Sequence, residues 1–413
     1  MEQSAAMPRI VITGATGFIG RQIIPDLKGR AQLLLVGRDP ARIRAMFGDD
    51  MAVCDYDSLP EAARGYDALV HLAVLNNDQN ASEDEFRAVN VALLASTLAA
   101  AQAAGVRSFL NAASLKANAD IATDPYAVSK AEGEKLLAEA TGIRVVNMRF
   151  AAVYGDTFKG TLKVLNSLPG WAQRAGLNVL ACAKPVTRVS LIAEAILDHA
   201  SVSEPQETGA AVEEVLITDG QRENPVYQWI MRIIDIAFAL GVLICLSWLL
   251  LIIWVVVRVT SPGPGIFSQT RITKDGQPFT CYKFRTMKVN TAQAATHNIG
   301  ESAVTSIGHI LRKTKIDELP QAVNILANTL SLVGPRPSLP TQTELIDARD
   351  RRSVFDVKGG ITGWAQIKGI DMSEPHRLAR EDAEYVARRT VLFDLKIILA
   401  TFIGRGSGDR VKK

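Results

Sequence analysis

The sequence predicts an α/β protein with a Rossmann-like, doubly wound parallel sheet in its N-terminal half, then a membrane helix, then a small mixed α/β domain. Three observations predict this order. A short apolar strand enters a glycine-rich turn near the start, strand-like and helix-like runs then alternate, and an uncharged run extends from Ile236 to Val257. We expect domains at residues 1–219 and 261–413, a linker at 220–228, and the membrane helix at 229–260.

The first motif is RIVITGATGFIG, in which Gly14, Gly17 and Gly20 have the GxxGxxG spacing. Small residues let the backbone approach a pyrophosphate, and a helix that begins near Phe18 directs its N-terminus toward the anion. The strand-like runs QLLLVGRDP, MAVCDYD, DALVHLAV and RSFLNAAS follow, separated by helix-like runs. This βαβ alternation predicts a dinucleotide site at the glycine turn.

The end of the second strand, LVGRDP, bears on the choice of cofactor. NAD-specific proteins usually place an acidic residue here, on the ribose 2′-hydroxyl. Gly37 has no side chain for that contact, whereas Arg38 could pair with a 2′-phosphate. NADP is therefore favoured over NAD, and a reductase over an epimerase, because an epimerase recycles its bound NAD and gains nothing from the reducing NADPH pool.

Candidate acid–base chemistry lies in DPYAVSKAEGEKLL, where Tyr126 and Lys130 occupy one face of a predicted helix. An ammonium group near a phenol lowers the phenol's pKa by favouring the phenolate. Tyr126 is therefore a candidate proton donor or acceptor for alcohol–ketone interconversion, although such a pair also occurs on solvated helix faces.

From about residue 8 to residue 218 the chain resembles the extended short-chain dehydrogenase/reductases that act on nucleotide sugars. The resemblance rests on TGATGFIG, HLAV, Asn90, Ser114, YAVSK and MRFAAVYGD. It implies a catalytic triad of Ser114, Tyr126 and Lys130, with Asp55 near the adenine. The sequence departs from the family in a short segment between Ser114 and Tyr126 and in Phe150, where a proline is usual.

In the C-terminal half, the adjacent carboxylates Asp317 and Glu318 lie in LRKTKIDELPQAVNIL. A carboxylate beside fixed cations stays ionised, and can act as a nucleophile toward phosphorus or as a ligand for Mg²⁺. Such a pair is also common in the first turn of a helix. The neighbouring basic residues are Arg312, Lys313, Lys315 and, in a GPRP segment, Arg336.

From about residue 229 to residue 405 the chain resembles the monotopic phosphoglycosyl transferases, the bacterial sugar transferase family. The motifs are RIIDIA, SPGPGIFSQTRITKDGQPFTCYKFRTM, LRKTKIDELPQAVNIL, LSLVGPRP, ITGWAQIKG and LFDLKIIL. The resemblance implies transfer of a sugar phosphate from a UDP-sugar to undecaprenyl phosphate, with release of UMP. Gly359 and Ile370 depart from the family pattern, which usually has proline and arginine there.

The same resemblance assigns roles within the transferase half. Asp317 would attack the sugar-bearing phosphate and become an acyl phosphate. Glu318 would help with Mg²⁺ or with proton handling, so that both carboxylates are candidate metal ligands. The substrate phosphates would be held by Arg312, Arg336, Lys283 and Arg285.

The apolar run could form a helix long enough, at about 1.5 Å per residue, for a hydrocarbon core of ~30 Å. Both halves need cytosolic substrates, so we expect the run to enter and leave on the cytosolic face of the bacterial inner membrane. Relatives break this helix at a Ser-Pro pair, whereas this chain has Ser247 and Trp248. The Ser247 hydroxyl can still donate to a carbonyl of the preceding turn and bend the helix, and Gly241 makes the backbone more flexible there.

Composition adds weaker constraints. The formal net charge is +3 without a long basic tract, which argues against nucleic acid as a partner. The cysteines are scattered, which indicates neither a zinc site nor a disulfide framework and fits a reducing, cytosol-facing environment. A homodimer stays open. Two alternatives also stay open: a non-catalytic nucleotide-sugar module at the N-terminus, or a transferase half that serves only as an anchor.

Overall fold

In a computed structural model, the chain is described for residues 7–76, 81–115, 124–201, 212–289, 291 and 303–404. It divides into two compact units. The first comprises residues 1–177 and 186–219, and the second comprises residues 178–185 and 220–413.

The first unit alternates strands and helices along most of its length. Its strands are β1 (Arg9–Thr13), β2 (Gln32–Val36), β3 (Ala52–Cys54), β4 (Ala68–His71), β5 (Ser108–Ser114), β6 (Arg144–Phe150), β7 (Ala152–Tyr154), β8 (Val186–Arg188) and β9 (Glu213–Ile217). Its helices are α1 (Phe18–Leu27), α2 (Pro40–Phe47), α3 (Leu59–Ala62), α4 (Glu83–Arg87), α5 (Leu94–Ala103), α6 (Pro125–Ala138), α7 (Gly170–Ala181, whose last residues group with the second unit) and α8 (Val189–Ala200). A π-helical segment (Ala88–Leu93) joins α4 to α5, and a 3-10 segment (Gly160–Ser167) precedes α7.

The main sheet of this unit has seven parallel strands in the order β3-β2-β1-β4-β5-β6-β9. Alternate residues of each strand face opposite sides, so Ile10 and Ile12 belong to one apolar cluster and Val11 to another. Burial on both faces explains why the strands are continuous apolar runs. The predicted doubly wound α/β architecture is confirmed, and β7 and β8 form a separate parallel pair.

The second unit is mixed α/β. Its helices are α9 (Pro225–Leu240), α10 (Ser247–Thr260), α11 (Ser306–Thr314), α12 (Ala322–Leu326), α13 (Thr343–Asp350), α14 (Trp364–Ile367), α15 (Pro375–Arg388) and α16 (Val391–Phe402). Its strands are β10 (Ile266–Ile272) and β11 (Pro278–Phe284), which are antiparallel, and β12 (Ser331–Val333) and β13 (Gly360–Thr362), which are parallel. Shorter 3-10 segments are Lys274–Gly276, Ile316–Gln321 and Val354–Asp356.

The apolar run forms two helices with a break between them. After α9, the segment Gly241–Cys245 is π-helical, and Leu246 leaves the helical region with φ −104° and ψ 9°. The Ser247 hydroxyl donates to the Ile244 carbonyl at 2.9 Å, as the sequence led us to expect. A π segment and a back-bonding serine are known causes of kinks, so the break does not require the missing proline.

Both arms of this broken helix pack on the same domain. Near the end of the first arm, Ala239 and Val242 lie in one apolar cluster with residues of β11. Near the end of the second arm, Val257 lies in a cluster with Phe284, the last residue of β11. The two arms therefore contact the same hairpin of one unit.

By length and composition alone, Glu83–Ala103 and Pro225–Cys245 are each apolar enough to cross a membrane. In the first of these stretches, Leu94 and Leu98 are buried in the core of the α/β sheet. The second stretch carries exposed apolar side chains, among them Trp229 and Ile244. The two stretches therefore differ in where their apolar side chains lie.

Residues 220–228 differ from the expected linker, because part of this segment is buried in the second unit. Asn224 caps α9 by accepting from the amides of Val226 and Tyr227. The Gln221 amide donates to the carbonyls of Ala181 and Arg389. Polar turn residues resemble a linker in sequence, but here their side chains satisfy backbone groups that would otherwise lack partners.

Candidate active sites

The glycine turn of the first unit is shaped by close backbone approach. Gly14 has φ +72°, and a Cβ there would lie 2.6 Å from the Ala73 nitrogen. A Cβ on Gly20 would lie 2.6 Å from the Ala15 carbonyl oxygen, and the Gly17 amide donates to the Gly14 carbonyl at 2.9 Å. Side chains at Gly14 and Gly20 would therefore collide with the backbone, and α1 begins directly after Gly17. The residues fit the pyrophosphate of a dinucleotide.

Two further predicted cofactor residues follow neighbouring strands. Arg38 comes after β2 and is exposed, while Asp55 comes after β3. The Asp55 carboxylate accepts from the Ser58 amide at 2.8 Å, and hydrogen bonds from Ser58 lower its pKa. The carboxyl ends of parallel neighbours lie at one edge of a sheet, so both residues lie at the edge that carries the glycine turn.

The predicted triad residues lie at the end of β5 and in the first half of α6. Ser114 is the last residue of β5, and Tyr126 lies in the first turn of α6, which Asp124 caps by accepting from Ala127. The Lys130 ammonium is buried and donates to the Ala112 carbonyl at 2.8 Å, and burial lowers its pKa to about 8. The short segment at residues 116–123 lies outside the described residues.

In the second unit, a left-handed residue positions the carboxylate pair. Helix α11 is capped by Thr305, which accepts from the Gly308 amide at 3.0 Å, and it ends at Lys315 with φ +58°. This backbone conformation is uncommon for a residue with a side chain. The chain changes direction there and enters the 3-10 segment that carries Asp317 and Glu318.

Glu318 is held by two cations from different elements. Its Oε1 accepts from the Lys283 ammonium of β11 at 2.9 Å and from the Arg336 guanidinium at 2.8 Å. Arg336 follows β12 in the GPRP segment. The structure therefore brings together three residues that the sequence separates by many positions.

Asp317 is largely buried, with 9% of its surface exposed. Burial raises its pKa to about 6, and Glu318 adds to the rise, whereas Lys283, Arg312 and Arg336 oppose it. The sequence led us to expect that these cations would keep the carboxylate ionised. Desolvation by burial affects the pKa more strongly than the three cations do, so the pKa is raised. A carboxylate with a pKa of about 6 is still mainly ionised at neutral pH.

Arg285 lines the same cavity as the other predicted phosphate ligands, and it also has hydrogen bonds to the main chain. Its guanidinium donates to the carbonyls of Pro262 and Ser261, each at 2.5 Å, just beyond the end of α10. Carbonyls at the end of a helix lack partners within the helix, and a guanidinium satisfies them. The described contacts of Arg285 therefore secure the second arm of the broken helix.

The carboxylates face a cavity of about 660 Å³ within the second unit. Basic residues contribute to the cavity lining, among them Lys283, Arg312, Lys315 and Arg336. Apolar residues contribute as well, among them Phe238, Ile361, Ile398 and Phe402. Phe402 belongs to α16, whose exposed face also carries Leu392, Leu395 and Leu399. The cavity therefore combines basic residues, which suit an anion, with apolar residues, one of which belongs to a helix with an exposed apolar face.

Two functional candidates, Arg349 and Asp382, escaped the sequence reasoning because they act through other residues and do not line the cavity. The Arg349 guanidinium donates to the main-chain carbonyl of Arg336 at 2.9 Å and to the Asp382 carboxylate at 2.6 and 3.0 Å. Arg349 and Asp382 are almost fully buried, on α13 and α15. Lys315 was noted in the sequence only as a neighbouring charge. No local motif marks such residues, because their partners come from distant elements.

Among the described residues, no group of three or more histidine, cysteine, aspartate or glutamate side chains could hold a metal ion. Asp317 and Glu318 supply two carboxylates, and Lys283 and Arg336 already occupy one oxygen of Glu318. Mg²⁺ is commonly held by one or two carboxylates with water and substrate phosphates. The pair therefore fits an Mg²⁺ ion that takes its other ligands from a phosphorylated substrate.

The two units match two different family models. Residues 226–405 match the model described as "Bacterial sugar transferase". Residues 10–187 match the model described as "NAD dependent epimerase/dehydratase family". The boundary between the two matches lies close to the boundary between the compact units.

Individual relatives resemble one half of the chain at a time. The UDP-glucose:undecaprenyl-phosphate glucose-1-phosphate transferase of Escherichia coli K12 is 39% identical over 189 residues, which are 43% of this chain and 40% of that protein. The uncharacterized sugar transferase EpsL of Bacillus subtilis 168 is 39% identical over 170 residues, 41% of this chain and 84% of that protein. Among solved structures, MoeE5 in complex with UDP-glucuronic acid and NAD has a TM-score of 0.40 and 21% identity, over 51% of this chain and 77% of that one.

Proposed function

The chain belongs to the bacterial sugar transferase family, and from this membership we propose that its second unit transfers a sugar phosphate from a UDP-sugar to undecaprenyl phosphate. The observation that carries the proposal is the buried Asp317 at a cavity whose lining includes both basic and apolar residues. The basic residues suit the diphosphate of the donor. The apolar residues suit the first isoprene units of the acceptor.

In the proposed reaction, the Asp317 carboxylate attacks the phosphorus that bears the sugar. The bond from that phosphorus to the bridging oxygen breaks, and UMP leaves with the electron pair. An oxygen of undecaprenyl phosphate then attacks the same phosphorus and expels the Asp317 carboxylate, which gives undecaprenyl diphosphate sugar. Both displacements spread negative charge over the phosphoryl oxygens, which Arg312, Lys315 and Arg336 are placed to neutralise.

Glu318 has a positioning role in this proposal. It fixes the Lys283 and Arg336 side chains on one carboxylate oxygen, so both cations are oriented before the substrate binds. Mg²⁺ would be held by Asp317 and Glu318 and would supply further charge neutralisation on the phosphate oxygens. Arg285 is kept in this proposal as a phosphate ligand, because it lines the same cavity, and it also donates to carbonyls at the end of α10.

For the first unit we propose reduction or epimerisation at C4 of the UDP-sugar. The glycine turn and Arg38 would hold NADP or NAD, which supplies or accepts the hydride. Tyr126 would exchange a proton with the sugar oxygen, assisted by Ser114 and Lys130. The alternative is a unit that binds the nucleotide sugar without catalysing a reaction.

The broken apolar helix and the exposed face of α16 support a monotopic attachment to the bacterial inner membrane. Both arms pack within one compact unit. If the run crossed the membrane as a straight helix, parts of this unit would lie on opposite sides of the bilayer. We propose that the run dips into the cytosolic leaflet and that both units lie in the cytoplasm, where nucleotide sugars and NADPH are found.

A screen for UMP release tests the transferase proposal. The full chain in vesicles is supplied with undecaprenyl phosphate, Mg²⁺ and one UDP-sugar at a time. We expect release of many equivalents of UMP per enzyme with at least one donor when the acceptor is in excess over the enzyme, and of at most one equivalent per enzyme when the acceptor is absent. Absence of release with every UDP-sugar would leave the membrane-anchor alternative as the better account of this unit.

Replacing Tyr126 by phenylalanine should separate the two units. Loss of a general acid–base group typically costs roughly 10²–10⁴-fold in rate, so NADPH oxidation with a 4-keto UDP-sugar should fall by that factor. UMP release from a suitable donor should be unchanged. If the wild-type chain binds the sugar nucleotide but oxidises no NADPH, the non-catalytic alternative is favoured instead.

The site of the helix break predicts how proline is tolerated. Trp248 is the second residue of α10, where proline is compatible with the helix, so Trp248→Pro should retain UMP release and vesicle binding. Leu251 is exposed on the same helix but lies in its interior, and Leu251→Pro should cost about 3 kcal/mol or more. Equal damage by both changes would indicate one continuous helix.

Labelling of introduced cysteines supplies the second readout for this prediction. Reporters near either end of the chain should resist a membrane-impermeant reagent in intact cells and react after lysis. Labelling of one end only in intact cells would overturn the re-entrant proposal.

A further inference from the structure

A second surface of the molecule, in the first unit, has the chemistry of a membrane contact. Trp171 is 83% exposed at the start of α7, and Val164 and Leu168 beside it in sequence are also exposed. Large apolar side chains of this kind are costly in water unless something covers them. We call residues 159–174 the tryptophan segment.

Buried side chains attach the tryptophan segment to the rest of the first unit. Leu162 and Leu165 of the 3-10 segment are buried, and the Leu165 side chain lies so close to Gly176 that a Cβ there would be 2.7 Å from it. The Gln173 side-chain amide donates to the Leu168 carbonyl at 3.0 Å. The exposed apolar side chains therefore project from a packed turn.

The charged side chains in the tryptophan segment are all basic. Between Asp156 and Glu194 the sequence contains no acidic residue, although the chain as a whole carries nearly equal numbers of acidic and basic side chains. Within the tryptophan segment, Lys159, Lys163 and Arg174 are all exposed. An exposed indole with cations and exposed apolar side chains near it in the sequence matches the headgroup region of an anionic bilayer, where tryptophan is enriched and basic residues are attracted.

We propose that the tryptophan segment docks the first unit on an anionic phospholipid surface. Trp171 and Leu168 enter the headgroup region, and Lys163 and Arg174 contact lipid phosphates. A protein partner of matching charge is the rival occupant. The acid-free sequence favours lipid, because protein surfaces commonly mix both signs of charge whereas the bacterial inner leaflet presents one. The proposal does not depend on the transferase activity.

Site-specific fluorescence on the full chain in vesicles tests the proposal. In a Cys245→Ser background, which removes the exposed native cysteine, an environment-sensitive dye is attached at Val164→Cys. The matched control carries the dye at Met46→Cys, an exposed position of α2 in the same unit. Vesicles contain phosphatidylglycerol with a nitroxide-labelled headgroup as quencher, and sedimentation confirms separately that each variant is vesicle-bound.

We expect the dye at position 164 to shift to the blue and to be quenched several-fold more strongly than the dye at position 46. The difference should shrink in phosphatidylcholine vesicles and in a Lys163→Glu, Arg174→Glu variant. Equal quenching at the two positions would overturn the proposal. A blue shift that rises with protein density and does not depend on lipid charge would instead identify a second copy of the chain as the occupant.

Discussion

Replacing Asp317 by asparagine is expected to abolish UMP release, with a loss of roughly 10⁴-fold or more, because a neutral amide cannot attack phosphorus. The substitution keeps the size of the side chain and removes a charge whose burial already opposes ionisation. The variant should therefore fold as well as the parent. Binding of NADPH by the first unit should be unchanged, since that unit has its own core.

A chemical readout makes this prediction specific to the nucleophile. With a UDP-sugar and no acceptor, the wild-type chain should gain the mass of a sugar phosphate, and Asp317→Asn should gain none. Asp347→Asn is the matched control, because Asp347 is an exposed carboxylate of the same unit on α13. Substantial UMP release by Asp317→Asn, or a mass gain that persists in it, would show that another group attacks the phosphate.

Features that depend on local backbone geometry could be predicted from the sequence. The glycine turn is an example, because the positive φ of Gly14 and the tight approach at Gly20 each require the absence of a side chain. The alternation of buried strands with amphipathic helices likewise predicted the parallel sheet. In both cases the information lies within a short window of the chain.

Features that depend on long-range packing could not be predicted. The family resemblance assigns Arg285 to the substrate phosphates, and the sequence did not indicate that its guanidinium also donates to carbonyls at the end of α10. The direction of the Asp317 pKa shift depends on how deeply the 3-10 segment is buried. The spacing of residues in the sequence indicates neither the direction in which a long side chain points nor how deeply a carboxylate is buried.

The break in the apolar run lies between these cases. Ser247 and Gly241 indicated a bend, but the π-helical segment that begins at Gly241 was not foreseen. One extra residue in a turn of helix shifts the faces that follow, and here both arms pack in clusters that contain residues of β11. A π-helical segment and one serine hydroxyl lie where relatives have a proline.

The buried pair of Arg349 and Asp382 supports the last prediction, which separates stability from positioning. Asp382→Leu leaves the Arg349 guanidinium buried without its carboxylate, and breaking a buried pair in this way typically costs about 3–5 kcal/mol. The double variant Arg349→Met, Asp382→Leu replaces both charges by apolar side chains, a change that is often neutral or stabilising. Thermal unfolding should therefore show a large loss for the single change and recovery for the double.

Turnover should not recover with stability, because the Arg349 guanidinium also donates to the Arg336 carbonyl, and Arg336 in turn contacts Glu318. Without that donor, the GPRP segment is no longer held against α13, and the Arg336 guanidinium loses the fixed position that charge stabilisation in the transition state requires. We expect the double variant to lose roughly 10²-fold in kcat for UMP release while its KM for the UDP-sugar changes little. A double variant with both the stability and the kcat of the parent would mean that the pair only holds α13 against α15.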